Sequence, residues 1–251
     1  MTSVLPRWLL CRERRPEAVH RLYCFPHSGA SVGEYVRWSD GLPGVEVLGV
    51  QLPGRGHRMA EEPFTRMRDL VGSIVQEVDF EGPFAFFGHS LGALVAYETA
   101  RTLRDAGRTE PDVLFVSALG APRFQPTHPS LSALSDDELI AEVEAEFGLL
   151  PPELDDDPEL KESIVSCLRA DFAVLDTYRY TPAAPLDCRI VTLGGVEDDE
   201  SELLPAWEDH TTGGFSSHLM SGGHFYLKDH HDSVHRIIAG ALDAGPGHRR
   251  Y

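Results

Sequence analysis

Short apolar runs alternate along this chain with segments whose apolar residues recur at helical spacing. Several of these runs are continuous, which is typical of strands in a parallel sheet covered by helices on both faces. The predicted strands span residues 22–25, 45–51, 84–88, 113–118, 188–193 and 217–220. The predicted helices span residues 66–78, 91–106, 203–211 and 232–242. This alternation predicts an α/β fold with a mostly parallel, doubly wound sheet.

The most informative motif is the G-x-S-x-G sequence at residues 88–92, with Ser90 at its centre. It lies between the apolar run at 84–87 and an Ala-rich helical pattern. A sharp turn from strand to helix projects the serine Oγ and aims the amides of the helix start at whatever the serine attacks. The flanking glycines suit a strained backbone and close packing of strand against helix. Ser90 is therefore the predicted nucleophile.

Residues 123–182 interrupt the alternation, because they contain helical patterns but no strand pattern. We expect one domain over residues 1–251, with 123–182 inserted as a helical lid. The lid helices are predicted at 135–147, with Ser135 and Glu138 as a capping box, and at 157–178. Each carries an apolar stripe, formed by Leu139, Ile140, Val143 and Phe147 in the first and by Ile164, Leu168, Phe172 and Leu175 in the second. These stripes either pack as a core or line an acyl-chain tunnel over Ser90.

Composition narrows the function classes. The 251 residues are 42% hydrophobic and carry a formal net charge of −18, from 40 acidic and 22 basic residues. Such a surface disfavours nucleic acid and anionic lipid as partners. No apolar stretch approaches the ~20 residues of a membrane span, and the N-terminal residues do not resemble a targeting segment. The four cysteines form no C-x-x-C pair, so we expect free thiols, no metal site and a cytoplasmic protein.

A serine nucleophile requires a base. In hydrolases with G-x-S-x-G at such a turn, the order along the chain is nucleophile, acid, histidine. Of the twelve histidines, His224 fits best, because it follows a glycine pair directly after the last predicted strand. The acid is expected after the preceding strand, where the sequence offers Glu197, Asp198, Asp199 and Glu200. We favour Asp198, with Asp199 second, to fix the histidine tautomer and stabilise the imidazolium.

Attack on an acyl carbonyl creates an oxyanion that two N–H groups must stabilise. One is expected from the backbone of Leu91, directly after the nucleophile. The other is expected from the loop after the first predicted strand, at Ser28 or, as the alternative, at Gly29. His89 is expected to pack beneath the turn.

These blocks together resemble the type II thioesterases that accompany polyketide synthases and nonribosomal peptide synthetases. The resemblance runs nearly end to end, and its blocks lie at residues 24–30, 50–55, 88–92, 168–172, 177–180, 193–195, 206–207 and 222–225. It implies an α/β-hydrolase fold and a stand-alone editing enzyme. Such enzymes hydrolyse aberrant or stalled acyl groups from the phosphopantetheine arm of acyl or peptidyl carrier proteins, through an acyl-enzyme and without a cofactor.

Other functions remain open from sequence. The same triad would serve a carboxylesterase or lipase on free esters, or a chain-terminating medium-chain fatty-acyl thioesterase. A non-catalytic protein that only binds a carrier is disfavoured, because Ser90, His224 and an acidic loop are all present. We expect a monomer that docks its acidic carrier transiently, through a local basic or apolar patch near the lid.

Overall fold

One seven-stranded sheet organises the molecule, in the computed structural model that describes residues 5–126, 130–147, 150 and 157–244. The strand order is β1-β3-β2-β4-β5-β6-β7. Only the β1/β3 pair is antiparallel, and the other neighbours are parallel. The strands are β1 Leu9–Leu10, β2 His20–Phe25, β3 Val45–Val50, β4 Phe84–His89, β5 Val113–Ser117, β6 Arg189–Gly195 and β7 Phe215–Met220.

Helices cover both faces of this sheet, which explains why β3, β4 and β5 are buried along their whole length. Alternate residues of each strand point to opposite faces and build two separate cores. Phe86 and Leu114 pack in the core on the side of helices α2 and α3, whereas Phe87 and Phe115 pack against α1 and α6. The helices are α1 Gly33–Val36, α2 Met67–Glu77, α3 Leu91–Asp105, α4 Asp136–Phe147, α5 Pro158–Thr177 and α6 His231–Asp243.

The segment between β5 and β6 contributes α4 and α5, which share a third, smaller core. Ser135 and Glu138 form the reciprocal hydrogen bonds of a capping box at the start of α4. Asp157 accepts from the amides of Glu159 and Leu160 at the start of α5. The side chain of Phe147, part of the predicted stripe, lies outside the described residues. This segment therefore has its own apolar interior, and α5 also packs against α2.

Two features differ from the sequence prediction. The helical pattern at 203–211 belongs to a longer 3₁₀ helix, Asp199–His210, which contains Pro205. Proline has no amide hydrogen to donate, so regular α-helical hydrogen bonding cannot run through this position. The short elements β1 and α1 were not predicted, because two to four residues are too few to show a period.

Among the described residues, no helix combines the length and apolarity needed to cross a membrane. In the same part of the chain, no group of three or more His, Cys, Asp or Glu side chains is arranged to hold a metal ion. Cys24, Cys167 and Cys188 are buried free thiols, and Cys11 is partly exposed.

Candidate active site

Ser90 lies at the turn between β4 and α3 and has a strained backbone, with φ 54° and ψ −125°. Its amide donates to the carbonyl of Ser117 on the neighbouring strand, at 2.8 Å. A Cβ on Gly88 would lie 2.2 Å from the carbonyl oxygen of Gly92, and one on Gly92 would lie 2.1 Å from that of Phe25. Both glycines of the motif are therefore required by close backbone contact. The strained backbone conformation of Ser90 itself costs about 1–3 kcal/mol, and strain of this kind is typical of functional positions.

His224 and Asp198 meet at the carboxyl edge of the sheet, although they follow different strands. Nδ1 of His224 lies 3.1 Å from Oδ2 of Asp198, and both side chains are largely buried. Because the carboxylate can only accept, this contact places the proton on Nδ1 and leaves Nε2 able to accept one. The pair therefore has the geometry of a histidine base oriented by an acid.

Glycines allow the two loops that carry this pair to touch. A Cβ on Gly195 would lie 2.2 Å from the carbonyl oxygen of Gly222 and 2.3 Å from that of Gly223. Gly222 also has a positive φ of 102°, which a residue with a Cβ rarely adopts. The amide of Glu197 donates to the carbonyl of Gly222 at 3.0 Å and joins the loops directly. The glycine pairs in the sequence thus set the spacing between acid and base.

The other three acids of this loop lie elsewhere. The side chains of Glu197 and Asp199 are exposed. Glu200 is buried, but its carboxylate accepts from the amide of Gly120 after β5. Of the four candidates, Asp198 is the one whose carboxylate lies against His224.

The loop after β2 holds the two candidate oxyanion donors in different environments. The amide of Gly29 donates to Oδ2 of Asp171 at 2.7 Å, so it is occupied. Ser28 lines the same cavity as Ser90. Within the part of the chain that the structure describes, neither the Ser28 amide nor the Leu91 amide donates a hydrogen bond. These two amides, and not that of Gly29, are available to a ligand.

Ser90 and His224 line the same small cavity, which is partly open to solvent. Its wall on the α4–α5 side is apolar and consists of Val143, Leu168 and Phe172. The remaining lining residues are His27, Ser28 and Phe225. The predicted stripes therefore serve both purposes. Val143, Leu168 and Phe172 belong to the core between α4 and α5 and also line the cavity, whereas Leu139 belongs to that core and does not line the cavity.

Two further histidines surround this site and are held neutral. Nδ1 of His27 lies 2.9 Å from the hydroxyl of Tyr35, and burial lowers the pKa of His27 to about 3. His89 is fully buried beneath the turn, and burial lowers its pKa well below the usual value, with the nearby His224 adding to the effect. Its ring centroid lies 5.2 Å from that of His224. At neutral pH neither ring adds positive charge next to His224.

A buried hydrogen-bond chain links the turn to the His224 loop, and sequence reasoning missed it. Nδ1 of His89 lies 2.8 Å from Oγ of Ser117, which lies 2.6 Å from the hydroxyl of Tyr226.

Sequence reasoning also assigned no role to Arg55 and Asp171, which form a buried ion pair at 2.5 Å. The available signal was the position of Asp171, a charged residue three positions after Leu168 and therefore on the apolar stripe of α5.

A mostly parallel sheet with helices on both faces, and a serine at a strand-to-helix turn facing a histidine from the last strand's loop, define an α/β-hydrolase fold. Comparison with protein families matches residues 20–242 to the thioesterase domain. This chain belongs to the thioesterase family and is a thioester hydrolase.

Individual relatives of this chain support the same family assignment. The chain is 38% identical over 228 residues to thioesterase PikA5 of Streptomyces venezuelae, covering 88% of this chain and 80% of that protein. It is 34% identical over 230 residues to the gramicidin S biosynthesis protein GrsT of Aneurinibacillus migulanus, covering 90% of each. The structure of BorB, a type II thioesterase from the borrelidin biosynthetic cluster, superposes with a TM-score of 0.84 at 37% identity and covers 94% of this chain and 97% of that one. The resemblance to type II thioesterases is thereby confirmed.

Proposed function

We propose that this enzyme removes aberrant or stalled acyl groups from the phosphopantetheine arm of acyl or peptidyl carrier proteins, as an editing enzyme of polyketide or nonribosomal peptide synthesis. Relatives of similar length, named for the borrelidin cluster and for gramicidin S biosynthesis, support this role. The observation that carries the chemistry is the shared cavity of Ser90 and His224, with Asp198 against the far nitrogen of the imidazole. We further propose that the enzyme acts as a cytoplasmic monomer.

In the proposed mechanism, His224 Nε2 accepts the proton of the Ser90 hydroxyl as Oγ attacks the thioester carbonyl. The amides of Leu91 and Ser28 stabilise the oxyanion, and the positive end of helix α3 adds to this stabilisation. Collapse of the intermediate breaks the carbon–sulfur bond. The thiolate takes the proton from His224 and leaves the acyl group on Ser90. His224 then accepts a proton from water as the water oxygen attacks the acyl carbonyl. The ester bond to Oγ breaks, His224 returns the proton to Oγ of Ser90, and the free acid leaves.

We place the acyl group of the substrate against the apolar wall of the cavity. Val143, Leu168 and Phe172 supply a wall without charge, so the acyl chain is the part of the substrate that they would contact. The segment that carries them, α4–α5, acts in this proposal as the lid over Ser90, and it shields the bound acyl chain from bulk solvent.

The test compares three substrates with one acyl group: an acyl carrier protein thioester, the N-acetylcysteamine thioester and the p-nitrophenyl ester. We expect the highest kcat/KM on the carrier thioester, and a clear preference for the ester would overturn the proposal. Ser90→Ala should lower kcat by about 10⁴–10⁶ on all three. Ser73→Ala, on α2 outside the cavity, is the matched control and should leave kcat unchanged.

A further inference from the structure

Asp171 is a buried acid on helix α5 whose carboxylate faces three N–H donors. Two come from the guanidinium of Arg55, at 2.5 and 2.8 Å, in a bidentate pair. The third is the amide of Gly29, at 2.7 Å. The side chains of Arg55 and Asp171 are only 6% and 3% exposed, so the pair is shielded from solvent.

These contacts join three separate parts of the chain at the catalytic edge of the sheet. Gly29 belongs to the loop after β2 and is adjacent to Ser28, whose amide is the proposed second oxyanion donor. Arg55 belongs to the loop after β3, and Asp171 to α5. The same helix also reaches the β3 loop through the thiol of Cys167, which donates to the carbonyl of Gly54 at 2.8 Å. Helix α5 is thus hydrogen-bonded to both the β2 loop and the β3 loop beside the cavity.

The Gly29 backbone is shaped for this contact. It has a positive φ of 75°, and a Cβ there would lie 2.7 Å from Cδ2 of Leu168, one turn before Asp171 on α5. The loop therefore approaches the helix too closely for a side chain, and its amide points at Asp171 and not into the cavity. Because the Gly29 amide donates to Asp171 on α5, the preceding amide, that of Ser28, is the one left to bind the substrate oxyanion.

We propose that Asp171 is a positioning residue for the oxyanion hole: by holding the Gly29 amide and Arg55 together, it lets helix α5 set the position of the Ser28 amide. A bound acyl chain that presses on Leu168 or Phe172 would act on the same helix. The enzyme thereby couples the fit of the acyl group to the stabilisation of the oxyanion. This inference rests on the proposed serine mechanism.

The test uses Asp171→Asn, because every partner of the carboxylate is a donor. Oδ2 of Asp171 accepts from the Gly29 amide and from one Arg55 nitrogen, and Oδ1 accepts from the other Arg55 nitrogen. The NH₂ of asparagine would replace one of these oxygens, so neither orientation of the side chain satisfies all three donors. On the N-acetylcysteamine thioester we expect kcat to fall by about 10²–10³, the usual effect of losing one oxyanion donor, with KM changed less than about threefold. Affinity for an alkyl boronic acid, which forms a tetrahedral anion on a serine, should fall by the same factor as kcat. Affinity for the non-hydrolysable thioether analogue should be retained.

Asp176→Asn is the matched control, since it makes the same substitution on the same helix. Its carboxylate accepts from Ser130 and Ser132, within the segment between β5 and β6. Arg55→Lys is the second variant. It keeps the charge, loses the bidentate geometry and should give an intermediate decrease in kcat. Circular dichroism and urea unfolding establish that each variant is folded, and Arg55→Lys provides the test if Asp171→Asn is not.

The inference is overturned if Asp171→Asn and Asp176→Asn lower kcat equally, or if Asp171→Asn weakens boronate and thioether binding by the same factor. Ser90→Ala, measured in parallel, separates this failure from that of the mechanism. Activity that survives Ser90→Ala refutes the serine mechanism. Activity that depends on Ser90 but not on Asp171 refutes only the positioning role.

Discussion

Asp198 uses its two carboxylate oxygens for different contacts: Oδ2 lies 3.1 Å from Nδ1 of His224, whereas Oδ1 accepts from the amide of Glu200 at 3.2 Å. The second contact caps the 3₁₀ helix that begins at Asp199. The residue that orients the histidine is therefore itself oriented by the helix that it caps. This arrangement makes the proposed acid part of a rigid element instead of a free loop side chain.

The dual contact predicts different effects for two substitutions of Asp198. Asp198→Asn keeps an oxygen for the cap but presents NH₂ to Nδ1 of His224, which favours the wrong tautomer. We expect kcat to fall by about 10³–10⁴ with the free energy of unfolding nearly unchanged. Asp198→Ala should lower kcat similarly and also destabilise the fold by about 1 kcal/mol, through loss of the cap. Asp199→Asn, at an exposed position, is the control. Equal kcat losses for Asp198→Asn and Asp199→Asn would contradict the assignment.

The sequence predicted the sheet, the Ser90 turn and the position of the candidate base because each depends on local pattern. Continuous apolar runs identify buried strands, and glycine pairs mark where backbones must approach. The sequence favoured Asp198 among four adjacent acids but could not exclude Asp199, because which carboxylate turns inward depends on the capping of the Asp199–His210 helix. The partners of Asp171 could not be predicted either, because Gly29 and Arg55 lie more than one hundred positions away.

The buried hydrogen-bond chain of His89, Ser117 and Tyr226 predicts that two substitutions lower the free energy of unfolding by different amounts. Tyr226→Phe removes one hydrogen bond and leaves Ser117 paired with His89, so it should cost about 1 kcal/mol. Ser117→Ala removes the shared partner and leaves two buried groups, His89 Nδ1 and the Tyr226 hydroxyl, without one. It should therefore cost about 2–4 kcal/mol. Urea unfolding measures both values, and a larger loss for Tyr226→Phe would refute this account.

The apolar wall of the cavity predicts a change in chain-length preference. Phe172→Leu shortens one side of the wall, so kcat/KM for an octanoyl thioester should rise relative to that for a propionyl thioester, by about 10-fold. Leu139→Val is the control, because Leu139 lies in the core between α4 and α5 but does not line the cavity. If both variants shift the ratio equally, the change reflects general loosening of the helices and not contact with the acyl chain.

A surface groove separate from the Ser90 cavity is the predicted docking site for an acidic carrier protein. It adjoins the C-terminal end of α5 and is lined by exposed Arg66, Arg68 and Arg179, in a chain whose net charge is −18. Arg66→Glu/Arg68→Glu should raise KM for the carrier thioester about 10-fold and leave the N-acetylcysteamine thioester unaffected. Acidic residues suit the start of α2, so stability should be maintained. Equal effects on both substrates would refute docking at this groove.

Buried histidines predict that acid destabilises the fold before the carboxylates titrate. The hydroxyl of Tyr97 lies 2.9 Å from Nδ1 of His210, and burial lowers the pKa of His210 to about 4. The unfolded chain, with an ordinary histidine pKa of about 6.5, binds the proton first. Between about pH 6.5 and 4 each such histidine therefore lowers the free energy of unfolding by up to about 1.4 kcal/mol per pH unit. His210→Gln should reduce this slope in urea unfolding series from pH 7 to 4.5. Parallel slopes for wild type and His210→Gln would show that His210 binds its proton at the same pH in the folded and unfolded chain, and would refute this account.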